Sequence, residues 1–429
     1  MIDINLFRTN PDVIRENIRK KFQDHKLAIV DEIIELDKKL RQIKGDADNL
    51  RGKLNAISRE IAGFFQQGKK EEAEAAKLAA IQIGKEIEEL KSLEATLPMQ
   101  LRELMLGIPN ILDPSVPLGK DDNENVEVTR VGEPKTPTFE VPYHINIMEN
   151  LHGIELDNAR TTSGHGFYYL KGDIARLHSA ILSYARDFMI DRGFTYYVPP
   201  FMIRSSVVTG VMSFTEMEEM MYKIEGEDLY LIGTSEHSMI GKFIDTIVDK
   251  QTLPQTLTSY SPCFRKEKGA HGIEERGVYR VHQFEKQEMV VVCEPEDSPE
   301  WFDKLTTNSL DFFRSLELPV RVLECCSGDL ADLKVKSVDI EAWSPRQQKY
   351  FEVCSCSNLG DAQARRLGIR TKGANGTYFP HTLNNTVVAL PRMMISFLEN
   401  HLQEDGTVYI PPAIRGYMGG KEFIGNPSN

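Results

Sequence analysis

The residues best equipped to do chemistry fall between Ser259 and Val292 (SYSPCFRKEKGAHGIEERGVYRVHQFEKQEMVVV), where charged side chains alternate with strand-forming ones. Residues two apart on a strand share a face, so Arg265 and Glu267 point one way. Arg280, His282 and Phe284 line up likewise on the returning strand, which also carries Glu285, Lys286 and Glu288. A guanidinium on a sheet face is costly unless an anion answers it, and its planar fork matches phosphate in two places at once. The middle, Lys268 to Gly277, is charged and interrupted by glycine, the mark of a long flexible hairpin loop. A solvated edge hairpin with surface ion pairs would use the same residues. The rest of the chain has to decide.

Three further stretches carry similar groups. LYLIGTSEHS (229–238) reads as a strand ending in Thr234, Ser235 and Glu236, a place where chain ends present side chains to a pocket. YFEVCSCSNLGD (350–361) reads as a strand with Glu352, Ser355 and Asn358. HTLNNTVVALPRMMISFLEN (381–400) runs from strand or loop into a helix that Arg392 begins, just after Pro391. A helix N-terminus attracts anions, and the guanidinium there adds a full charge. Cys354 and Cys356 could join Cys325 or Cys326 around zinc. Yet Cys-x-Cys puts both thiols on one strand face without a chelating turn, so no zinc is expected. No Ser-His-Asp set stands out, so no covalent intermediate on the protein is expected either.

Together these stretches resemble the signature motifs of class II aminoacyl-tRNA synthetases. The spelling QFEKQE is close to the seryl branch, the seryl-tRNA synthetases, and the likeness covers essentially the whole chain. The central stretch is similar to the second motif (Phe-Arg-x-Glu, loop, Arg-x-His-Gln-Phe), and residues 381–400 to the third. The helix at His178–Arg192 with FTYYVPPFMIRSSVVTG resembles the first, which forms the dimer interface. The resemblance implies an ATP site of Arg265, Lys266, Glu267, Arg280, Val281, Phe284, Glu352, Val353, Cys354, Ser355 and Arg392. In it Arg265 meets the α-phosphate, Glu267 the adenine amino group, Phe284 the adenine face and Arg392 the β- or γ-phosphate. Glu352 and Ser355 would hold Mg²⁺. The implied serine site is Thr234, Ser235, Glu236, Arg265, Glu288, Asn384 and Thr386, with Glu288 on the ammonium or hydroxyl of L-serine. The expected reaction is serine plus ATP to seryl-adenylate and pyrophosphate, then transfer to the 3′ end of tRNA(Ser), with tRNA(Sec) as a further acceptor. The sequence departs twice: Asp113 stands where a His is usual, and Pro391 where the third motif has Gly before its Arg. The charge of Arg392 remains, but not the close backbone approach a glycine allows.

Such a site needs a large body to hold it. At 429 residues the chain exceeds one ordinary core, and 41% hydrophobic with 27% charged residues is the composition of a soluble globular protein. No apolar run approaches the ~20 residues of a membrane span, and MIDINLFRTNPDVIREN lacks the apolar centre of a signal peptide. The six cysteines all follow residue 262 and do not form a disulfide framework, so a cytoplasmic location is expected. A net charge of −13 argues against nucleic-acid binding over the whole surface.

From Ile29 the apolar positions Ile33, Leu36, Leu40, Ile43, Ala47, Leu50, Leu54, Ile57, Ile61 and Phe64 keep a heptad spacing. After Gln66–Lys70 a second seam follows through Ala73, Ala76, Ala80, Ile83, Ile87 and Leu90, then Leu97, Leu101 and Leu104. Two such helices predict an antiparallel hairpin arm. Residues 15–91 contain 17 Lys/Arg and 15 Asp/Glu, net +2, which leaves −15 for the remainder. A near-neutral projection on an acidic body suits a reader of phosphate backbone, the role the family gives it toward tRNA. Candidate contacts are Lys38, Lys39, Arg41, Lys44, Arg51, Lys53, Lys69, Lys70 and Lys77. The expected layout is α+β: a helical-hairpin arm (1–106), a proline-rich extended linker (107–142) and a class II catalytic domain on an antiparallel sheet flanked by helices (143–429), in a homodimer. A paralogue that loads a carrier protein would lack the arm, and a retired binding scaffold would not need Arg265, Glu267, Arg280, Glu352 and Arg392 together.

Overall fold

The structure, a computed structural model, describes residues 1–267, 277–374 and 376–425. It divides into two compact units, Ile2–Pro109 and Asn110–Asn429, with Met1 grouping with the second. The loop expected at 268–277 lies, except for Gly277, outside the described residues.

The first unit is the hairpin. Helix α1 spans Leu27–Gln66 and helix α2 Lys70–Leu106, joined by a tight turn in which Gly68 takes a φ of 75°. Burial follows the heptad seam: Ile33, Leu40, Ile43 and Ala47 on α1, and Ala73, Ile87, Leu97 and Leu101 on α2. Pro98 removes one backbone donor inside α2, yet the helix continues past it, its flanks Leu97 and Leu101 buried. One seam position is not apolar. Asp37, next to the expected Leu36, is buried, and its carboxylate receives Arg8 at 2.7 Å and Arg41 at 3.0 Å. Both guanidinium groups hold its carboxyl below the usual carboxylate range, Arg8 most strongly.

The second unit is built on eight strands: β1 (Val126–Val131), β2 (Thr195–Tyr197), β3 (Gln255–Phe264), β4 (Gln283–Cys293), β5 (Val320–Glu324), β6 (Lys336–Ser344), β7 (Lys349–Asn358) and β8 (His381–Leu390). Their order is β1-β5-β6-β7-β8-β4-β3-β2, antiparallel throughout except where β2 runs parallel to β3. Helix α3 (Gly172–Asp191), short α4 (Ser235–Gly241), α5 (Ser298–Ser315) and α6 (Arg392–His401) pack against this sheet. Phe312, Phe313, Leu177, Ile181, Val291, Ile340 and Phe397 share one core. Strand β4 is buried from Lys286 to Cys293, as its unbroken apolar run Met289–Val292 requires.

Two expectations change here. The segment 107–142 is not only a connection: its residues 126–131 pair with β5 and form one edge of the sheet. And β4 begins at Gln283, so Arg280 and His282 lie in the bend before it and do not alternate with Phe284.

Asp37→Asn should lower the unfolding free energy by about 1–2 kcal/mol, because a neutral amide with one acceptor oxygen replaces the anion that Arg8 and Arg41 share. Since the folded carboxyl titrates below its unfolded value of 3.8, its contribution is present above that pH and lost as pH falls. The difference between wild type and variant in chemical denaturation should therefore shrink toward acid pH. A constant difference would contradict the assignment.

Candidate active site

One cleft of about 320 Å³ opens on strands β4, β7 and β8, the start of α4, the bend at 278–281 and the start of α6. Its floor follows from pleating. Phe284, Lys286 and Glu288 are spaced by two on β4 and all face the cleft, as do Asn384 and Thr386 on β8. Thr386 stands directly opposite Glu288, and a bulge follows at once, the register stepping over Val387. On β7 simple alternation would send Glu352 and Ser355 to opposite faces. A second bulge skips Val353, and both side chains line the cleft.

Thr234 does not end a strand. The strand is only Tyr230–Leu231, and Thr234 is the N-cap of α4, accepting the Glu236 N–H at 3.3 Å. Its hydroxyl donates to Glu288 Oε2 at 3.4 Å. The same oxygen receives the ammonium of Lys286, in an ion pair with side-chain exposures of 8% and 1%. Glu236 accepts from Gln363 Nε2 at 2.7 Å. Burial first, then the nearby Glu288 charge, pushes its carboxyl up to about 7. Beside it His237 is held neutral, burial bringing its imidazole down to about 3.

The three arginines meet at the other end. Arg265 hydrogen-bonds the Gly233 carbonyl and lies 5.1 Å over the Phe284 ring. Arg280 pairs with Glu267 at 3.2 Å. Arg392, the first residue of α6, pairs with Glu352 at 3.4 Å and lies 4.7 Å over Tyr279. Pro391 is the N-cap of α6, so Arg392 begins the helix as the sequence suggests. Arg265 and Arg392 thus face the same space.

Behind Glu352, Asp339 on β6 pairs in register with Ser355, and burial followed by the Glu352 charge pushes it up to about 6. Glu352 and the Ser355 hydroxyl therefore offer hard oxygen donors at an electronegative corner, a donor set that fits Mg²⁺. The Cys354 thiol, also at the cleft wall, donates to the Thr386 carbonyl at 2.7 Å, and burial raises its pKa and pushes that of Cys356 up to about 12. Protonated thiols in hydrogen bonds are poor zinc ligands. The metal-capable cluster found among the described residues, Cys325, Asp329 and Asp339, includes neither.

Of the expected site residues, Thr234, Glu236, Arg265, Glu267, Arg280, Val281, Phe284, Glu288, Glu352, Val353, Cys354, Ser355, Asn384, Thr386 and Arg392 line the cleft. Two do not. Ser235, in the first turn of α4, is fully buried against Ser259, and Lys266 turns its ammonium to the Glu218 carbonyl. Sequence reasoning passed over Lys286, Tyr279, His237 and Lys334. Lys286 had a signal, since it sits two residues from both Phe284 and Glu288. Lys334 comes from the irregular segment before β6 and had none; its ammonium reaches Ser355 Oγ at 3.5 Å. On the arm, Arg41, Arg51 and Lys77 are engaged by Asp37, Asp48 and Glu74, which leaves them less suited to phosphate than exposed Lys38, Lys39, Lys44, Lys53, Lys69 and Lys70.

Known proteins resemble the chain along its length. Residues 1–112 match the seryl-tRNA synthetase N-terminal domain, and residues 220–401 the tRNA synthetase class II core domain (G, H, P, S and T). The serine–tRNA ligase of Methanospirillum hungatei is 41% identical over 99% of this chain and 100% of its own, and that of Pyrococcus furiosus 40% over 99% and 98%. Among solved structures, seryl-tRNA synthetase from Pyrococcus horikoshii complexed with ATP superposes with a TM-score of 0.94 at 38% identity, covering 99% of both chains. The cytoplasmic enzyme of Naegleria fowleri in complex with AMP gives 0.88 at 34%, covering 99% and 98%.

Glu236 supplies a test of the electrostatics. With its folded pKa raised from 4.5 to about 7, its contribution to stability is full below the lower value and lost as pH rises through the upper. Wild type should lose thermal stability relative to Glu236→Gln between pH 5 and 8. Parallel melting curves across that range would show that the carboxyl is not shifted.

Proposed function

The chain belongs to the seryl-tRNA synthetase family, and on that premise we propose that its cleft joins L-serine to ATP, giving seryl-adenylate and pyrophosphate, before serine passes to the 3′ end of tRNA(Ser). One observation carries the reading. A pocket of two carboxylates and three hydroxyl or amide groups (Glu236, Glu288, Thr234, Thr386, Asn384) is continuous with a second pocket holding Arg265, Arg280 and Arg392. The first suits an ammonium and a hydroxyl, the second a triphosphate.

In the proposed step the serine carboxylate attacks the α-phosphorus in line, and charge grows on the phosphoryl oxygens. Arg265 stabilises that charge, Arg392 holds the departing pyrophosphate, and Phe284 and Glu267 fix the adenine. Mg²⁺ held by Glu352 and Ser355 would neutralise further phosphate charge. No protein nucleophile is needed. Selection comes from polar pairing: alanine would leave Glu288 and Thr386 unanswered, and the room between Thr234 and Thr386 limits threonine. We assign the 1–106 arm to the tRNA, with the exposed lysines on its backbone, and include tRNA(Sec) as a second acceptor. A homodimer, supported by the outer strand β2 and the 73% exposed Val198 just beyond it, and a cytoplasmic location complete the proposal.

Pyrophosphate exchange measured with each of the twenty amino acids should be driven by serine alone. Arg392→Ala should lower kcat/KM for ATP by about 10²–10³-fold. Exchange with serine but no charging of tRNA(Ser) would point to a carrier-loading enzyme, and exchange led by another amino acid would end the serine assignment.

A further inference from the structure

Lys286 is the buried cation that neither the ATP site nor the serine site accounts for. It lies on β4 between Phe284 and Glu288, facing the cleft, opposite Ala389 on β8. Its ammonium is held against Glu288 Oε2, which also receives the Thr234 hydroxyl. Among the described residues these two side-chain donors converge on one oxygen, and Oε1 keeps its lone pairs for a ligand. The charge is felt across the pocket as well. Glu236 is surrounded by Glu288 and Lys286 from β4, Lys334 from the segment before β6, and the neutral Gln363 amide; the two lysines draw its pKa down against burial and Glu288. His237, next along α4, is kept neutral by burial and then by Lys286 and Arg265.

We infer that Lys286 is a positioning residue for the amino-acid pocket: its ammonium fixes the Glu288 carboxylate, turns one oxygen toward the substrate, and keeps two facing carboxylates available to a single incoming ammonium. The inference rests on the serine reading of that pocket. Without Lys286, Glu288 is held by the Thr234 hydroxyl alone of its two side-chain donors, and it faces Glu236 with Lys334 as the remaining ammonium near it. Glu236, whose carboxyl Lys286 draws down against burial, then keeps its proton to higher pH than in the wild type, and serine loses an acceptor over that range. The triphosphate end, built on Arg265, Arg280 and Arg392, is untouched.

The test is pyrophosphate exchange by the full chain against serine, ATP and pH, for wild type, Lys286→Met, Lys286→Gln and Lys286→Arg, with circular dichroism to establish folding. Both neutral variants should raise the serine KM by about 30-fold or more and the ATP KM by less than about threefold. Their acid limb of kcat/KM for serine should move about one unit alkaline, a change that loss of packing alone would not produce. Lys286→Arg, which keeps the charge, should retain the wild-type acid limb even if its larger head raises KM. If a folded neutral variant keeps the wild-type acid limb, or if serine and ATP KM rise equally, Lys286 is only a structural residue and the inference fails. Should Lys286→Met not fold, the Gln variant decides on the same criteria. A wild type without serine-driven exchange at any pH would instead overturn the serine reading itself, which separates the two failures.

Discussion

Carboxylates can stand inside this sheet only because each faces a cation or a hydrogen-bond donor. Three ion pairs line the cleft: Lys286 with Glu288, Arg280 with Glu267 and Arg392 with Glu352. They differ in burial, and the difference sorts their roles. The first is 8% and 1% exposed; stripping one partner from such a pair costs about 3–5 kcal/mol, so it belongs to the framework. In the other two, Arg280 is 47% and Glu352 48% exposed, and pairs open to water hold together only weakly. In the proposed reaction these are the pairs that a triphosphate and its metal would exchange. The cleft is pre-arranged where it must be rigid and loosely closed where a ligand must enter.

That arrangement depends on register as much as on residue type. A one-residue slip on a strand turns every side chain over. The bulge at Val353 uses this deliberately: it carries Glu352 over to the face of Ser355, so a carboxylate and a hydroxyl three apart share one corner. The bulge at Val387 comes immediately after Thr386 has been set opposite Glu288. Both irregularities lie at the cleft, and the core on either side of them remains apolar.

Much of this was legible in the chain. The heptad seams gave both arm helices, because a 3.5-residue repeat maintained over many turns has few alternatives. The floor residues Phe284, Glu288, Asn384 and Thr386 were named through the family resemblance, and regular pleating is what brings them to one face. The site was not legible where geometry breaks the period. Nothing in YFEVCSCS announces a bulge, and Thr234 reads as a strand end because an N-cap and a strand end use the same residue types. Lys334 comes from an irregular segment, and no pattern in one sequence says where such a segment will lie. Asp37 shows the converse: an acid on the seam is recognisable as buried only once Arg8 and Arg41 are seen to reach it.

The two carboxylates of the proposed amino-acid pocket are also unequal, and the inequality has a chemical use. Glu288 is answered by a full positive charge, whereas Glu236 has an uncharged amide as its hydrogen-bond partner and titrates near neutrality. A carboxyl that titrates near neutrality can change its protonation state as a ligand arrives. An arriving ammonium then meets one fixed carboxylate and one that gives up its proton as the cation approaches. The empty pocket avoids the repulsion of two bare anions, and the filled pocket gains the second anion when a cation is present to need it. Binding of the amino acid should for that reason be linked to proton release around neutral pH, a linkage that follows from Gln363 standing where a second lysine would have fixed Glu236 as a permanent anion.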